Sequence, residues 1–274
     1  MALNLPIVRW GSGSTPVLLL HGFLGSAQSW EHLRPQWSAD LAVTAVDLPG
    51  HGQAPLPTAA GTEGFLETID ALAAQIDVPT VVVGYSQGAR LALALAARHP
   101  RQIAKLVLES GSAGLHRRQE RQARREQDEA WARNLEVNGV QSFVNAWEQL
   151  PLFSGIRALP AAVQAQLRER RLAHDAHGLA GALRCLGTGV QPDVWPRLPG
   201  LRVPTLLVTG EQDVKYTALA QRMAVQLPSA WKVSMPKVGH APHLECPNRY
   251  AQEVLGFITA PWRREFFVSE EKSA

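Results

Sequence analysis

Three residues far apart in the chain have the types and settings that nucleophilic or proton-transfer chemistry requires. Ser86 sits in Gly84-Tyr85-Ser86-Gln87-Gly88. A serine hydroxyl is a weak nucleophile and a weak base until an imidazole takes its proton, and the imidazole needs an acid to orient it. Asp213 closes the run Leu206-Leu207-Val208-Thr209-Gly210-Glu211-Gln212-Asp213, and His240 follows Gly239 one segment later. The order Ser86, Asp213, His240 makes these the candidate catalytic residues. Each has competitors: Glu211 and Glu109 are rival acids, His243 stands close to His240, and an aspartate in such a loop can be a turn residue or helix cap.

The elements around Ser86 make the case. Thr80-Val81-Val82-Val83 has the composition of a buried parallel strand, and 89–97 is built of strong helix formers. A serine on the turn between them takes a strained backbone, and the two glycines remove side chains that would clash. Its hydroxyl then stands at a helix N-terminus, whose dipole favours developing negative charge. Strand-like runs at 17–20, 43–46, 81–83, 106–108, 206–208 and 232–235 alternate with helical stretches at 27–37, 64–75, 87–98, 218–226 and 249–258. That alternation predicts an α/β fold with a mostly parallel sheet flanked by helices. Asp213 then falls just past the carboxyl end of one strand and His240 in the loop after the next. His21-Gly22-Phe23 follows the strand ending at Leu20, so the backbone N–H groups of Phe23 and Gln87 are expected to face an oxygen bound above Ser86. Asp47-Leu48-Pro49-Gly50-His51-Gly52 reads as a structural turn.

Between 115 and 186 there is no convincing strand, only amphipathic helix rich in Arg, Gln, Ala and Trp. The expectation is a helical cap at 114–195 over the carboxyl edge of a sheet formed by 1–113 and 196–274, the edge where open α/β sheets bind ligands.

Composition excludes several classes. The 274 residues are 46% hydrophobic and 19% charged, enough for one sizeable core. Two cysteines give no disulfide framework, no apolar run reaches a membrane span, and the first residues lack a signal-peptide pattern, so a cytoplasmic protein without a membrane role is expected. No metal-ligand spacing, G-x-G-x-x-G or phosphate-binding loop occurs, so no metal and no cofactor are expected. The net charge of +3 is too small to argue for nucleic acid, and the basic residues of 117–128 stand beside acids without interleaved aromatics. Nothing in the sequence sets the oligomeric state.

With these residues assembled, the chain resembles the α/β-hydrolase superfamily over nearly its whole length. Within it, the chain is similar to the 2-succinyl-6-hydroxy-2,4-cyclohexadiene-1-carboxylate synthase (MenH) family of menaquinone biosynthesis. The similarity is carried by Gly84-Tyr85-Ser86-Gln87-Gly88-Ala89-Arg90, Glu109-Ser110-Gly111-Ser112-Ala113-Gly114-Leu115 and the arginine-rich stretch leading to Asp128 and Trp131. Asn145-Ala146-Trp147-Glu148-Gln149, Gly210-Glu211-Gln212-Asp213-Val214-Lys215-Tyr216 and Gly239-His240-Ala241-Pro242-His243 add to it. The resemblance implies a lyase that eliminates pyruvate from an enolpyruvyl cyclohexene carboxylate, an anionic small-molecule substrate. It also implies that Arg90, Arg124 and a third arginine grip carboxylates while Tyr85 and Trp147 line the pocket. Arg171 fits the third place best, counted back from His174 and Gly178, with Arg168 as the alternative because a short insertion at 155–158 blurs the register. Arg90 has a physical reason to belong, since it lies four positions after Ser86 and hence on the same helix face. Two rivals remain: a hydrolase of carboxylic esters, thioesters or C–C bonds using the same triad, and a ligand-sensing protein on the same fold.

Overall fold

The computed structural model describes residues 3–261; the charged segment at 269–274 lies outside them. Seven strands form one sheet: β1 (Ile7–Trp10), β2 (Thr15–Leu20), β3 (Leu41–Val46), β4 (Thr80–Tyr85), β5 (Ile103–Glu109), β6 (Thr205–Gly210) and β7 (Ala230–Met235). Their order is β1-β3-β2-β4-β5-β6-β7, with β1 antiparallel to β3 and every other pairing parallel. All six strand-like runs of the sequence fall inside β2 to β7. The four-residue β1 is additional; Ile7-Val8-Arg9-Trp10 is too short to show a period.

The helices are α1 (Arg34–Trp37), α2 (Gly61–Ala73), α3 (Gln87–Arg98), α4 (Arg118–Glu148), α5 (Ser154–Arg157), α6 (Ala161–Leu172), α7 (Ala176–Leu186), α8 (Val214–Gln226), α9 (Pro242–Glu245) and α10 (Pro247–Thr259). The stretch expected as one helix over 27–37 is a 3-10 segment, Ala27–Leu33, followed by α1, whose first turn contains Pro35. Proline has no N–H for the ladder and crowds the preceding turn, so the two pieces do not fuse.

Strand alternation sends side chains into two cores, one on each face of the sheet. Leu18, Leu20, Val82, Leu106 and Leu108 join Leu91 and Leu95 of α3 on one face. Val17, Leu19, Val81, Val83 and Val107 join Trp37, Tyr250 and Val254 on the other. The four helices α4 to α7 lie between β5 and β6 and carry an apolar cluster of their own. Ala132, Leu135, Phe143 and Val144 of α4 meet Leu179, Ala180 and Leu183 of α7 there, with Leu24 from the loop after β2 inserted among them. Gly139 interrupts α4 with φ 74 and ψ 171. No helix of the described residues is long and apolar enough to cross a membrane.

Ser86 is reached only because α3 packs very close to the sheet. A Cβ added to Gly88 would lie 2.0 Å from the carbonyl oxygen of Leu20, and one added to Gly84 would lie 2.4 Å from the carbonyl oxygen of Gly88. Both obstacles are backbone and cannot swing aside. Gly88→Ala is therefore expected to cost about 1–3 kcal/mol of stability, measured by urea unfolding, as for other overpacked interiors. A neutral substitution would mean that α3 has room to retreat.

Candidate active site

Ser86 has φ 49 and ψ −102, a backbone conformation that L-residues rarely adopt. It is held by its neighbours: its N–H donates to the carbonyl of Glu109 at 2.8 Å, and its own carbonyl accepts from Arg90 N–H at 3.2 Å. Its hydroxyl lies 3.1 Å from His240 Nε2, and His240 Nδ1 lies 2.6 Å from Asp213 Oδ2. An ionised carboxylate can only accept, so Nδ1 carries the proton and Nε2 is left to accept from the Ser86 hydroxyl. Asp213 is also the N-cap of α8, where its Oδ1 accepts from Tyr216 N–H at 3.3 Å. One carboxylate thus starts a helix and orients the imidazole. Asp213 and His240 are both buried.

The rival acids go elsewhere. Glu211 is exposed, and its carboxylate accepts from the N–H of Lys237 at 3.4 Å. Glu109 pairs with His243, the other histidine of the His240 loop, Nδ1 to Oε1 at 2.7 Å. The His240 loop therefore carries two buried histidine–acid pairs, and only that of His240 reaches Ser86.

Among the described residues neither the Phe23 nor the Gln87 amide N–H finds an acceptor in the chain. Gly22 fits beneath them because its missing Cβ would stand 2.6 Å from the Tyr85 ring. The loops that carry Phe23 are cross-braced by imidazoles. His21 Nε2 accepts from Leu48 N–H at 3.0 Å, and His51 Nε2 accepts from Leu24 N–H at 3.2 Å. Their other ring nitrogens face the carbonyls of Gly22 and Pro49. His174, just before α7, bridges Gly52 N–H and the Leu24 carbonyl. The Asp47–Gly52 turn is structural, as its sequence implies: Gly50 meets Gly178 of α7 and Asp47 Oδ1 accepts from Ala27 N–H at 2.7 Å. Sequence reasoning missed this histidine network, and its only trace is the recurrence of His-Gly after strands β2 and β3.

Arg90 is buried one turn into α3, and its Nη1 donates to the Leu186 carbonyl, at the end of α7, at 2.8 Å. Burial, and then the neighbouring charge of Arg124, pull its pKa down to about 10. Arg124 is itself held by Asp128 at 2.8 Å, and burial raises the Asp128 carboxyl despite that partner. Both guanidiniums oppose burial at the Tyr216 phenol, whose ring centroid is 4.7 Å from that of His240. Arg90, Arg124, Tyr216 and His240 thus share one region, and Tyr216 escaped the sequence reading except as part of a motif.

Tyr85 lies with its ring centroid 5.5 Å from that of His240, and Phe153 lies 6.0 Å from it on another side. Trp147 packs between Phe23, Phe143 and Phe153 at 5.2–5.5 Å. Arg168 and Arg171 share the carboxylate of Glu148 at 2.6 and 2.8 Å. Arg171 is the more buried of the two, and its charge acts on the Tyr85 phenol. All three residues, with Phe153 and Ile156, line a cleft of about 180 Å³. Among the described residues no cluster of His, Cys, Asp or Glu could hold a metal ion.

A family model described as the alpha/beta hydrolase family matches residues 17–253. The chain belongs to the alpha/beta hydrolase family. A Bacillus subtilis (strain 168) member, which carries the provisional name 2-succinyl-6-hydroxy-2,4-cyclohexadiene-1-carboxylate synthase, is 35% identical over 91% of this chain and 92% of its own. An Enterobacter sp. (strain 638) protein with that enzyme name is 30% identical over 89% and 92%. Among solved structures, MenH from S. aureus superposes with a TM-score of 0.85 at 32% identity, over 93% of this chain and 97% of that one. A malate-bound thermophilic esterase from Thermogutta terrifontis gives 0.78 at 27% identity, over 93% and 92%.

The imidazole network gives this alpha/beta hydrolase an acid limit. Burial lowers the pKa of His21 to about 3 and that of His51 well below its ordinary value. With folded-state pKa values depressed, the unfolded chain takes up protons first as pH falls below about 6.5, so stability declines between there and the folded-state values. Two such groups are expected to remove roughly 4 kcal/mol between pH 7.5 and pH 5, read from urea unfolding at both. A flat profile would show that the rings protonate in place.

Proposed function

We propose that this chain is a carbon–oxygen lyase of menaquinone biosynthesis. It eliminates pyruvate from 2-succinyl-5-enolpyruvyl-6-hydroxy-3-cyclohexene-1-carboxylate to give 2-succinyl-6-hydroxy-2,4-cyclohexadiene-1-carboxylate. The observation that carries the reading is a hydroxyl–imidazole–carboxylate chain of 3.1 and 2.6 Å with a buried arginine one helical turn from the hydroxyl. An esterase acting on neutral substrates has no use for that guanidinium, whereas a polycarboxylate does. The names of the Bacillus and Enterobacter relatives and the S. aureus MenH structure support the same chemistry.

In this reading His240 Nε2 takes the Ser86 proton while Asp213 stabilises the imidazolium that results. The Ser86 oxygen removes the proton beside the succinyl ketone. Electrons pass through the ring, the C–O bond to the enolpyruvyl group breaks, and the departing enolate gains a proton to become pyruvate. The Phe23 and Gln87 amides support the charge that develops on the ketone oxygen. Arg90, Arg124 and Arg171 hold carboxylates, with Tyr85 and Trp147 against the ring. Residues 114–195 act as the cap over a core of 1–113 and 196–274, and the ligand lies between them. A cytoplasmic setting goes with this pathway and with the two free cysteines.

Purified protein supplied with the enolpyruvyl substrate is expected to release pyruvate, followed with a coupled dehydrogenase. No release above background defeats the reading. Ser86→Ala should lower kcat by about 10³-fold or more, as loss of a triad member does elsewhere. Arg90→Ala should act on KM, raising it roughly 10- to 100-fold, the worth of a charge-assisted hydrogen bond. A second reading, ester hydrolysis, is favoured by the unpartnered amides at Phe23 and Gln87 and by the Thermogutta esterase likeness. Burst kinetics on p-nitrophenyl esters with no pyruvate release would select it.

A further inference from the structure

The Glu109–His243 pair is unused by this mechanism, yet it joins the backbone of Ser86 to the loop that carries His240. Glu109 is the last residue of β5 and pairs in register with Tyr85 of β4. Its carbonyl accepts the Ser86 N–H at 2.8 Å, so its backbone fixes the strained serine. Its side-chain Oε1 accepts twice from His243: from the backbone N–H at 3.1 Å and from Nδ1 at 2.7 Å. His243 stands three residues after His240, in the first turn of α9. The His243 carbonyl is in turn held by His32 Nε2 at 2.8 Å, and its ring lies 4.5 Å from that of Tyr85. Glu109 and His243 are both sealed from solvent. The second oxygen of Glu109 is buried beside the Tyr250 phenol, whose pKa is raised by burial and then by the Glu109 carboxylate.

We propose that Glu109 is a positioning residue that holds Ser86 and His240 in mutual register, through its backbone on one side and His243 on the other. One residue thereby couples the two loops whose separation decides whether Ser86 Oγ and His240 Nε2 meet. The carboxylate has no water to fall back on, so a lost bond to His243 cannot be replaced in place. The consequence is misalignment of the imidazole, not loss of substrate grip, because none of the arginines touches this pair. The inference rests on the reading that Ser86 and His240 perform the chemistry together.

The test compares Glu109→Gln, Glu109→Ala and His243→Ala in the full chain. Glu109→Gln keeps an acceptor oxygen for His243, and its amide can donate to the Tyr250 hydroxyl, so kcat should stay within about threefold of wild type. Glu109→Ala and His243→Ala should lower kcat by about 100-fold with KM nearly unchanged, the scale set by small misplacement of reacting groups. The downfield proton resonance of His240 Nδ1–H, identified by its loss in His240→Asn, should weaken or shift in both alanine variants and persist in Glu109→Gln. Wild-type kcat with an undisturbed resonance in either alanine variant overturns the proposal, as does a loss expressed in KM alone. Equal losses in Glu109→Gln and Glu109→Ala that follow their melting temperatures overturn it too. If Glu109→Ala does not fold, His243→Ala cuts the same link from the other end. Should wild type release no pyruvate, the lyase reading fails by itself, and the resonance still decides the brace.

Discussion

Everything at the site follows from the backbone of Ser86. A non-glycine residue at φ 49 and ψ −102 costs of the order of 1–3 kcal/mol and persists only where surroundings overdetermine it. Here the surroundings are the parallel sheet and a helix pressed against it so closely that two glycines have no space for a methyl group. Strain at Ser86 and tight packing at Gly84 and Gly88 are two aspects of one arrangement. The strand delivers the chain, the helix removes it at once, and the residue at the corner is lifted clear.

Around that corner the protein handles charge by enclosure. Asp213 and His240 sit in a shell of Tyr85, Phe153 and Tyr216, where water cannot compete for the imidazole. Arg90 and Arg124 are drawn together against their mutual repulsion, and burial lowers the proton affinity of Arg90. Asp128 offsets the charge of Arg124 at 2.8 Å, whereas Arg90 donates to the neutral Leu186 carbonyl and has no ion pair among the described residues. Arg168 and Arg171 share the carboxylate of Glu148. These arginines are therefore not equivalent: Arg124, Arg168 and Arg171 each have a carboxylate partner, and among the described residues Arg90 has none.

Most of the central sheet and the Ser86, Asp213, His240 set could be read from the chain because each has a local signature. Valine-rich strands, an alanine- and leucine-rich helix after the serine, and polar loops after β6 and β7 announce themselves within a few residues. The choice of Asp213 over Glu109 had no such signature, since both acids follow strands. It was decided by which histidine of the same loop each can reach, a matter of tertiary geometry. Tyr216 and Glu148 were hidden for a related reason: their partners are twenty or more residues away, and nothing in their neighbourhood marks them. The edge strand β1 escaped because four residues cannot display a period. The histidines at 21, 51 and 174 form a network only after three loops meet.

Gly139 separates α4 into two stretches whose phases are independent. A continuous α-helix transmits any change in length as a rotation of about 100° per residue, so one insertion would sweep every later side chain off its face. With the ladder broken by a left-handed glycine, that rotation stops midway. The half bearing Trp131 and the half bearing Phe143 and Trp147 instead fold onto each other, with ring centroids 5.1 and 5.8 Å apart, and share the apolar cluster against α7. A change of length on one side of Gly139 is therefore not passed along the helix as a rotation and reaches the other side only through these ring contacts.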